Sequence, residues 1–433
     1  MPYAISLLLV LCLCTCVRAQ NTDLEERVRS VLEAGIDAGA FPGAQVLVLH
    51  KGEEMLHVTS GYHTYAKQRF VRKTDVYDLA SITKTSSGLL FLMQQYDAGV
   101  LDLDAPLGDI FPVWKGTDKG KRSLRSALAH RAGLLPWVPY WRGTLRGNAR
   151  YPWRKKWDGS RNNDYRFRGG TLRRDSSGAY PIRITDGLWL HRKYRERNIY
   201  RAIRKSPLKP EGEYKYSGLL FYLLPALVAR ETGVDYQTYL RENFYDPLGA
   251  TSLGYRPLDR GIPLSRIVPT EIDSFFRMDT LHGVVHDEGA ALMGGVSGNA
   301  GLFSTAQDLA KLYQMLLNGG TYAGKRYFKA TTVREFTRYQ FAEEDNRRGL
   351  GFDKPLVTYN ADASSVAEAA SPASFGHSGY TGTLVWADPE HDLLFIFLSN
   401  RVHPTRARRG IYTLGIRPTI HAMIYEALGV GSR

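Results

Sequence analysis

The chain has 433 residues, of which 43% are hydrophobic and 23% are charged, a composition that supports a large buried core and excludes a disordered chain. The 57 Lys and Arg residues outnumber the 43 Asp and Glu residues, so the formal net charge is +14 and anionic partners are favoured. No repeat, low-complexity tract or flexible linker divides the sequence, and we predict one composite domain.

An apolar run opens the chain. Residues 5–17 are almost wholly apolar, and residues 17–19 have the small-residue spacing of a signal-peptidase site. We therefore predict a signal peptide over residues 1–19 and an exported mature protein, periplasmic or secreted, over residues 20–433. The run is too short for a comfortable membrane span and no later stretch approaches the length needed, so we expect no stable membrane span.

All three cysteines, Cys12, Cys14 and Cys16, lie inside the predicted signal peptide. Cleavage after Ala19 leaves a mature chain without a thiol, which excludes disulfides, cysteine nucleophiles and thiolate metal sites. A lipidated N-terminus at Cys16 is the alternative, although the residues before it fit a lipobox poorly.

The mature chain is predicted to begin with a helix and two strands. Leu24 to Ala38 has the spacing of an amphipathic helix. Two strands are predicted next, over Gly43 to His50 and Glu54 to Tyr62, joined by a turn at Lys51 and Gly52.

A Ser-x-x-Lys tetrad, Ser81 to Lys84, precedes an amphipathic run that leads to Gly99. A Ser in the first turn of a helix and a Lys three residues later share one helix face, where the amine can activate the hydroxyl. The helix N-terminus disfavours a cation there and offers free N–H groups to an oxyanion. This pattern predicts a nucleophile with its base. The alternative is an ordinary helix start with a capping Ser and a solvated Lys.

Positive charge is concentrated in residues 141–174, where eleven Lys and Arg residues alternate with aromatic residues. We predict that residues 139–185 form a basic insertion able to hold an anionic envelope polymer or lipid head groups. An exported protein rarely meets nucleic acid, and no nucleic-acid module signature occurs, so we expect no nucleic-acid partner. A solvated insertion without a ligand is the alternative.

Tyr216 lies shortly before a predicted helix that ends near Gly233. A tyrosine placed beside a serine can act as general base or acid if nearby cations favour its phenolate, and Lys84 is a candidate cation. A packed aromatic residue is the alternative, because the chain contains 26 tyrosines.

Strand patterns return near the C-terminus. Glycine at position 379 allows a ligand to approach the backbone, and His377 can supply charge or a proton, with a structural histidine as the alternative. The predicted elements are strands over Thr383 to Trp386 and Leu393 to Ser399 and a helix over Pro418 to Leu428.

The order of elements predicts the fold class. Strands occupy both chain ends, about residues 20–75 and 350–433, and helical patterns dominate about residues 76–349. We therefore predict an α+β fold in which an antiparallel sheet is built from both chain ends and a helical region is inserted between them.

Together these elements resemble the serine β-lactamase and penicillin-binding-protein superfamily, which carries Ser-x-x-Lys, then Tyr-x-Asn, then Lys-Thr-Gly or His-x-Gly. The chain is most similar to β-lactamase-related serine hydrolases near class C, and among them to the subgroup associated with cell-wall recycling amidases. The resemblance covers nearly the whole mature chain, and its further supporting stretches are residues 129–134, 246–249, 285–288, 294–299, 301–310 and 398–402.

The resemblance implies Ser81 as nucleophile, Lys84 as its activator and Tyr216 as the proton shuttle. His377 then takes the place of the usual third-motif Lys. The same resemblance implies a β-lactamase-like fold and no cofactor.

The resemblance also implies a substrate-binding edge formed by Ser378, Gly379 and Tyr380. The N–H groups of Ser81 and Tyr380 would form the oxyanion hole. The chain departs from the family at Gly218, where the second motif usually has Asn, so efficient β-lactam hydrolysis is not expected. A His at 377 also makes carboxylate recognition weaker and pH-dependent.

A metal site is the competing interpretation of His282 and His286, which are four residues apart with Asp287 adjacent. The intervening Gly and Val residues do not favour the helix that such a motif needs, so we predict a cleft-shaping loop and no metal.

The expected function is an exported serine hydrolase that forms an acyl-enzyme with an amide or ester substrate, either a cell-wall muropeptide or a small peptide or ester. Two alternatives remain open at this point. One is a non-catalytic envelope-polymer-binding protein with the same fold, and the other is a β-lactamase or D-Ala carboxypeptidase.

Overall fold

The computed structural model describes residues 22–146 and 166–431. The predicted signal peptide (residues 1–19) and the middle of the predicted basic insertion (residues 147–165) lie outside the described residues. The strands are β1 (Gly43–His50), β2 (Glu53–Gly61), β3 (Tyr77–Asp78), β4 (Leu172–Arg173), β5 (Ile182–Thr185), β6 (Leu188–Leu190), β7 (Gly254–Tyr255), β8 (Ile272–Asp273), β9 (Asp279–Thr280), β10 (Leu302–Ser304), β11 (Thr321–Tyr322), β12 (Lys325–Arg326), β13 (Phe375–Ser378), β14 (Leu384–Asp388) and β15 (Leu393–Ser399).

Most helices lie between β2 and β13, and three lie at the chain ends. They are α1 (22–37), α2 (Thr83–Ser86), α3 (Gly88–Asp97), α4 (Leu107–Ile110), α5 (Leu124–Leu128), α6 (Arg201–Lys205), α7 (Leu224–Thr232), α8 (Tyr236–Leu240), α9 (Glu288–Leu292), α10 (Ala306–Leu317), α11 (Ala330–Thr337), α12 (Gly410–Thr413) and α13 (Ile416–Ala427). Short 3₁₀ and π-helical turns extend several of them.

The central sheet joins the two chain ends, as predicted. It has five strands in the order β13-β14-β15-β1-β2, and β1 pairs antiparallel with β15 from Ala44 opposite Ser399 to His50 opposite Leu393. The β1–β2 hairpin turns at Lys51 and Gly52, whose φ angles of 52° and 81° suit a tight hairpin turn. The α+β architecture with an antiparallel sheet is therefore confirmed.

Both faces of this sheet are covered, because alternate side chains of a strand point to opposite faces. The face toward α1 and α13 carries the buried residues Ala44, Val46, Val48, Phe395 and Phe397. The face toward the inserted region carries Leu47, Leu394, Ile396 and Leu398. The central strand β15 is therefore buried along its whole length and cannot shift register without exposing one of these sets.

The inserted region contains more strand than the sequence pattern predicted. A small sheet with the order β3-β10-β7 brings residues 77–78 against residues 302–304, and a second sheet, β4-β6-β5, occupies part of the basic insertion. Short strands of two to four residues lack the length over which periodicity can be read, which explains why they were missed. Among residues 22–146 and 166–431, no helix combines the length and the apolar character that a membrane crossing requires.

Candidate active site

The turn that carries Ser81 is fixed by a buried carboxylate. Ser81 lies in a 3₁₀ turn (Ala80–Ile82) that runs into α2. Asp78 accepts hydrogen bonds from the backbone N–H of Ala80 at 2.8 Å and from that of His286 at 2.7 Å. These bonds hold Ala80 at a φ of 45°, a left-handed conformation that is uncommon for a residue with a side chain. Burial raises the pKa of Asp78.

Lys84 contacts the hydroxyl of Ser81 directly. Its Nζ lies 2.9 Å from Ser81 Oγ and donates to the carbonyl oxygen of Asn299 at 3.0 Å. The lysine is only 3% exposed, so the amine is held at one position beside the hydroxyl. In its neutral form this amine can accept the proton of Ser81, which is the step that turns a serine into a nucleophile.

Tyr216 faces the same amine. Lys84 Nζ lies 5.1 Å from the centre of the Tyr216 ring, and the guanidinium carbon of Arg348 lies 5.7 Å from it. The phenolic oxygen is buried and has no hydrogen-bond partner among residues 22–146 and 166–431. An unpartnered buried hydroxyl near the Lys84 amine and the Arg348 guanidinium can exchange a proton with an atom of a bound substrate.

The strand β13 and its following turn are locked onto the Ser81 segment. Gly379 is required there, because a Cβ at this position would lie 2.5 Å from the carbonyl oxygen of Leu79. Thr381 and Thr383 donate side-chain hydrogen bonds to the carbonyls of Asp78 and Leu79, at 2.8 Å and 3.2 Å. Glycine 379 therefore allows the close approach that the sequence suggested, but the approaching group is the protein's own backbone.

Two backbone N–H groups near Ser81 are open to a ligand. The N–H of Ser81 lies in the first turn of its helix, where a preceding carbonyl is not available. Tyr380 is 48% exposed, and its N–H has no acceptor in the described part of the chain. These two donors can hold an oxyanion, and Ser378 and Gly379 line the cleft beside them.

His377 is neutral in the folded protein. Burial, together with Arg348 and Lys84, lowers the pKa of His377 to about 3, although Asp353 opposes this shift. The ring Nδ1–H donates to the carbonyl oxygen of Ser378 at 2.7 Å, which leaves Nε2 as an acceptor. His377 therefore does not supply the positive charge that a third-motif Lys would bring.

The cation at this position is Arg348, which the sequence did not single out. This arginine is only 1% exposed and pairs with the buried Asp353. It also approaches His130 Nε2 at 3.2 Å and His377 Nε2 at 3.5 Å. Burial raises the pKa of Asp353, but Arg347 and Arg348 outweigh burial and hold that pKa below its usual range.

The space left by Gly218 is bordered by the side chain of Asn299. A Cβ at position 218 would lie 3.8 Å from Asn299 Cβ, so the missing second-motif side chain leaves open room. The Asn299 amide donates to the hydroxyl of Tyr222 and to the carboxylate of Asp287, both at 3.2 Å. Asn299 belongs to a stretch that supported the family resemblance, but its backbone contact with Lys84 could not be inferred from sequence.

Many of these groups line an open cleft of about 250 Å³, and Lys84 lies buried behind Ser81. Ser81, Tyr216 and His377 line it together with Tyr380. The further lining residues are Tyr214, Arg347, Arg348, Asp353, Ser378, Gly379 and Tyr412. The structure thus gathers the residues that the sequence singled out, from three distant segments, at or directly behind one opening.

The histidines considered for a metal site have other partners. His282 Nε2 lies 2.7 Å from the carbonyl oxygen of Ile267, and His286 Nε2 lies 2.9 Å from the carboxylate of Glu271. Within residues 22–146 and 166–431, no group of three or more His, Cys, Asp and Glu residues is arranged to hold a metal ion.

The buried His377 leads to a prediction about pH. The pKa of His377 falls from 6.5 to about 3 on folding, so its contribution to stability is complete above pH 6.5 and is lost as the pH falls toward 3. We expect His377→Gln to remove part of this acid-induced loss of unfolding free energy, measured by urea denaturation across that range. Parallel pH–stability curves for the two proteins would contradict the assignment.

Comparison with known proteins defines the class. The family model described as Beta-lactamase matches residues 28–416. With a Ser-x-x-Lys segment in an α+β fold, the protein is a β-lactamase-related serine hydrolase. The chain belongs to the β-lactamase family.

Curated relatives are described as putative carboxypeptidases. A protein of Escherichia coli described as "Putative D-alanyl-D-alanine carboxypeptidase" is 32% identical over 347 residues, which cover 76% of this chain and 69% of that protein. A protein of Salmonella typhimurium with the same description is 37% identical over 404 residues, which cover 87% of this chain and 82% of that protein.

Solved structures share the fold. A penicillin-binding protein homolog from Caulobacter crescentus aligns with a TM-score of 0.63 and 20% identity, covering 94% of this chain and 98% of that chain. EstCE1, described as a hydrolase with promiscuous acyltransferase activity, aligns with a TM-score of 0.63 and 20% identity, covering 93% and 99%. At these identities the likeness establishes the architecture alone.

Proposed function

We propose that the protein is an exported hydrolase that cleaves the C-terminal D-amino acid from cell-wall peptides through an acyl-enzyme at Ser81. The observation that carries this proposal is the 2.9 Å contact between the buried Lys84 Nζ and the Oγ of Ser81, a residue that lines an open cleft. The descriptions of the curated relatives support the substrate class. The apolar N-terminal run supports export.

The proposed reaction begins with proton transfer from Ser81 to the neutral amine of Lys84. Ser81 Oγ attacks the peptide carbonyl carbon, and the oxyanion is held by the N–H groups of Ser81 and Tyr380. Tyr216 gives its proton to the nitrogen of the leaving D-amino acid as the C–N bond breaks, and Lys84 restores the phenol by passing on the proton that it took from Ser81. Water then attacks the acyl-enzyme, and its proton returns through the same base as Ser81 is released.

A direct assay tests the substrate. The purified mature protein is incubated with a muropeptide ending in D-Ala-D-Ala and with the matched peptide ending in L-Ala-L-Ala, and the release of alanine is followed by mass spectrometry. We expect release from the D-peptide only, and none in Ser81→Ala. Efficient turnover of nitrocefin or simple esters without release of D-Ala would refute the proposed substrate, while leaving the acyl-enzyme at Ser81 intact.

A further inference from the structure

A strongly basic segment lies outside the active-site cleft. Residues 192–209, called the basic segment here, contain eight Lys and Arg residues against one acidic residue, Glu196. The segment includes a π-helical turn (Arg195–Tyr200) that continues into α6 (Arg201–Lys205). It begins after the predicted basic insertion ends and adds a second concentration of positive charge.

Much of this charge is not neutralised. Arg197 and Arg201 are exposed, and no acidic side chain in the described part of the chain forms an ion pair with either of them. Arg204 donates to the carbonyl oxygens of Val113 and Lys115, at 2.5 Å and 3.1 Å. Carbonyl partners orient a guanidinium but leave its positive charge in place, so the segment presents a positive surface.

An apolar groove adjoins the basic segment. It has a volume of about 210 Å³, and Tyr200 of the basic segment forms part of its wall. Arg230 lies at its edge, where it donates to the carbonyl oxygen of Ile110 at 2.9 Å and also pairs with Glu231. The other lining residues are Phe111, Pro112, Val113, Leu223, Ala226 and Leu227.

The two features together suit an anionic amphiphile. Arginine binds phosphate through paired N–H groups. Replacement of water by a hydrocarbon in an apolar groove is favourable, because it removes apolar surface from water. A sugar-phosphate polymer would satisfy the arginines, but it has no apolar part for the groove. A phospholipid surface offers both parts.

We propose that the basic segment and the adjoining groove form a docking surface for a bilayer containing anionic phospholipids. Head-group phosphates contact Arg197, Arg201 and Arg204, and part of an acyl chain enters the groove beside Tyr200. This surface would hold the enzyme at a membrane without a membrane-spanning helix. The proposal does not depend on the chemistry at Ser81.

Vesicle sedimentation tests the proposal with the full-length mature protein. We expect binding to vesicles of equimolar phosphatidylglycerol and phosphatidylcholine and not to pure phosphatidylcholine. The double variant Arg197→Gln, Arg201→Gln should lower the partition coefficient roughly 20- to 30-fold, because each basic residue near an anionic surface contributes about a fivefold factor. The matched control is Lys325→Gln, Arg326→Gln, which removes two exposed charges from the β11–β12 hairpin and should bind nearly as the unaltered protein does.

A second variant distinguishes lipid from a polyanion. Ala226→Trp fills the groove without a change of charge, and we expect it to weaken vesicle binding while binding to lipoteichoic acid stripped of its acyl chains stays unchanged. If Ala226→Trp binds vesicles normally, or if the stripped polymer competes fully with vesicles, the surface recognises charge alone and the lipid proposal is wrong. Hydrolysis of a soluble ester should be the same in all variants and shows that each one is folded.

Discussion

Replacement of Ser81 by Ala is expected to lower kcat/KM for the best substrate about 10⁴-fold or more, because it removes the hydroxyl on which the proposed acyl-enzyme forms. Lys84→Met should cause a loss of similar size, since the amine at 2.9 Å from Ser81 Oγ is the group placed to take its proton. Steady-state hydrolysis of p-nitrophenyl acetate, together with labelling by a fluorophosphonate probe, measures both effects.

Matched controls separate chemistry from folding. Ser30→Ala removes an exposed hydroxyl from α1, and Lys115→Met removes an exposed amine near α4. Both should retain full activity and full labelling. The combined Ser81→Ala, Lys84→Met variant should be no worse than either single variant, because the two groups act as one unit. If Ser81→Ala is labelled as strongly as the unaltered protein, the proposed mechanism with Ser81 as nucleophile is wrong.

The site could be predicted from sequence where its geometry is local. The spacing of Ser81 and Lys84 places them on one helix face, and a glycine at position 379 permits a close approach to the backbone. Both features could therefore be predicted from the sequence alone. The position of His377 beside Tyr216, with ring centres 6.0 Å apart, came only from the resemblance to a known family. Helix spacing and turn geometry depend on residues that are close in the chain, so they cannot predict contacts between distant segments.

Two contributors to the site, the Arg348–Asp353 pair and Asn299, could not be predicted from sequence. Their roles differ from the usual roles of their residue types. Charged residues are usually solvated, so Arg348 and Asp353 gave no sign of forming a buried pair. The contact from Asn299 to Lys84 uses a backbone carbonyl, which every residue has. The sequence also could not predict that the helix after Ser81 breaks at Ser87, beside Gly88, where a Cβ would lie 2.4 Å from Leu224 Cδ1.

The usual third motif has a Lys at the position of His377 on strand β13, whereas the buried cation of this protein is Arg348. This difference explains why a histidine is tolerated at position 377. A Lys there would place a cation beside the guanidinium of Arg348, which approaches Nε2 of His377 at 3.5 Å. A neutral ring removes that repulsion and offers a hydrogen-bond acceptor instead. The cleft therefore keeps one buried cation near Tyr216, paired with Asp353, rather than two.

This arrangement makes Asp353 a position of large expected effect on stability. Asp353→Asn leaves Arg348 buried without its counter-charge, and breaking a buried pair from one side costs about 3–5 kcal/mol. We expect a loss of that size in the free energy of unfolding, measured by urea denaturation at neutral pH. Glu426→Gln, which breaks an exposed ion pair with Arg27, should cost less than about 1 kcal/mol.

A double-mutant cycle then tests whether the loss comes from the stranded charge. Arg348→Met should itself be destabilising, but Asp353→Leu combined with Arg348→Met removes the buried pair and should recover part of the stability lost in Asp353→Asn. Recovery is partial because Arg347, 3.3 Å from Asp353, still loses its carboxylate partner. Hydrolysis should stay low in the double variant, because the cation beside Tyr216 and His377 is gone. If the effects of the single variants simply add, the two side chains do not act as a pair and Arg348 is not the charge on which the cleft depends.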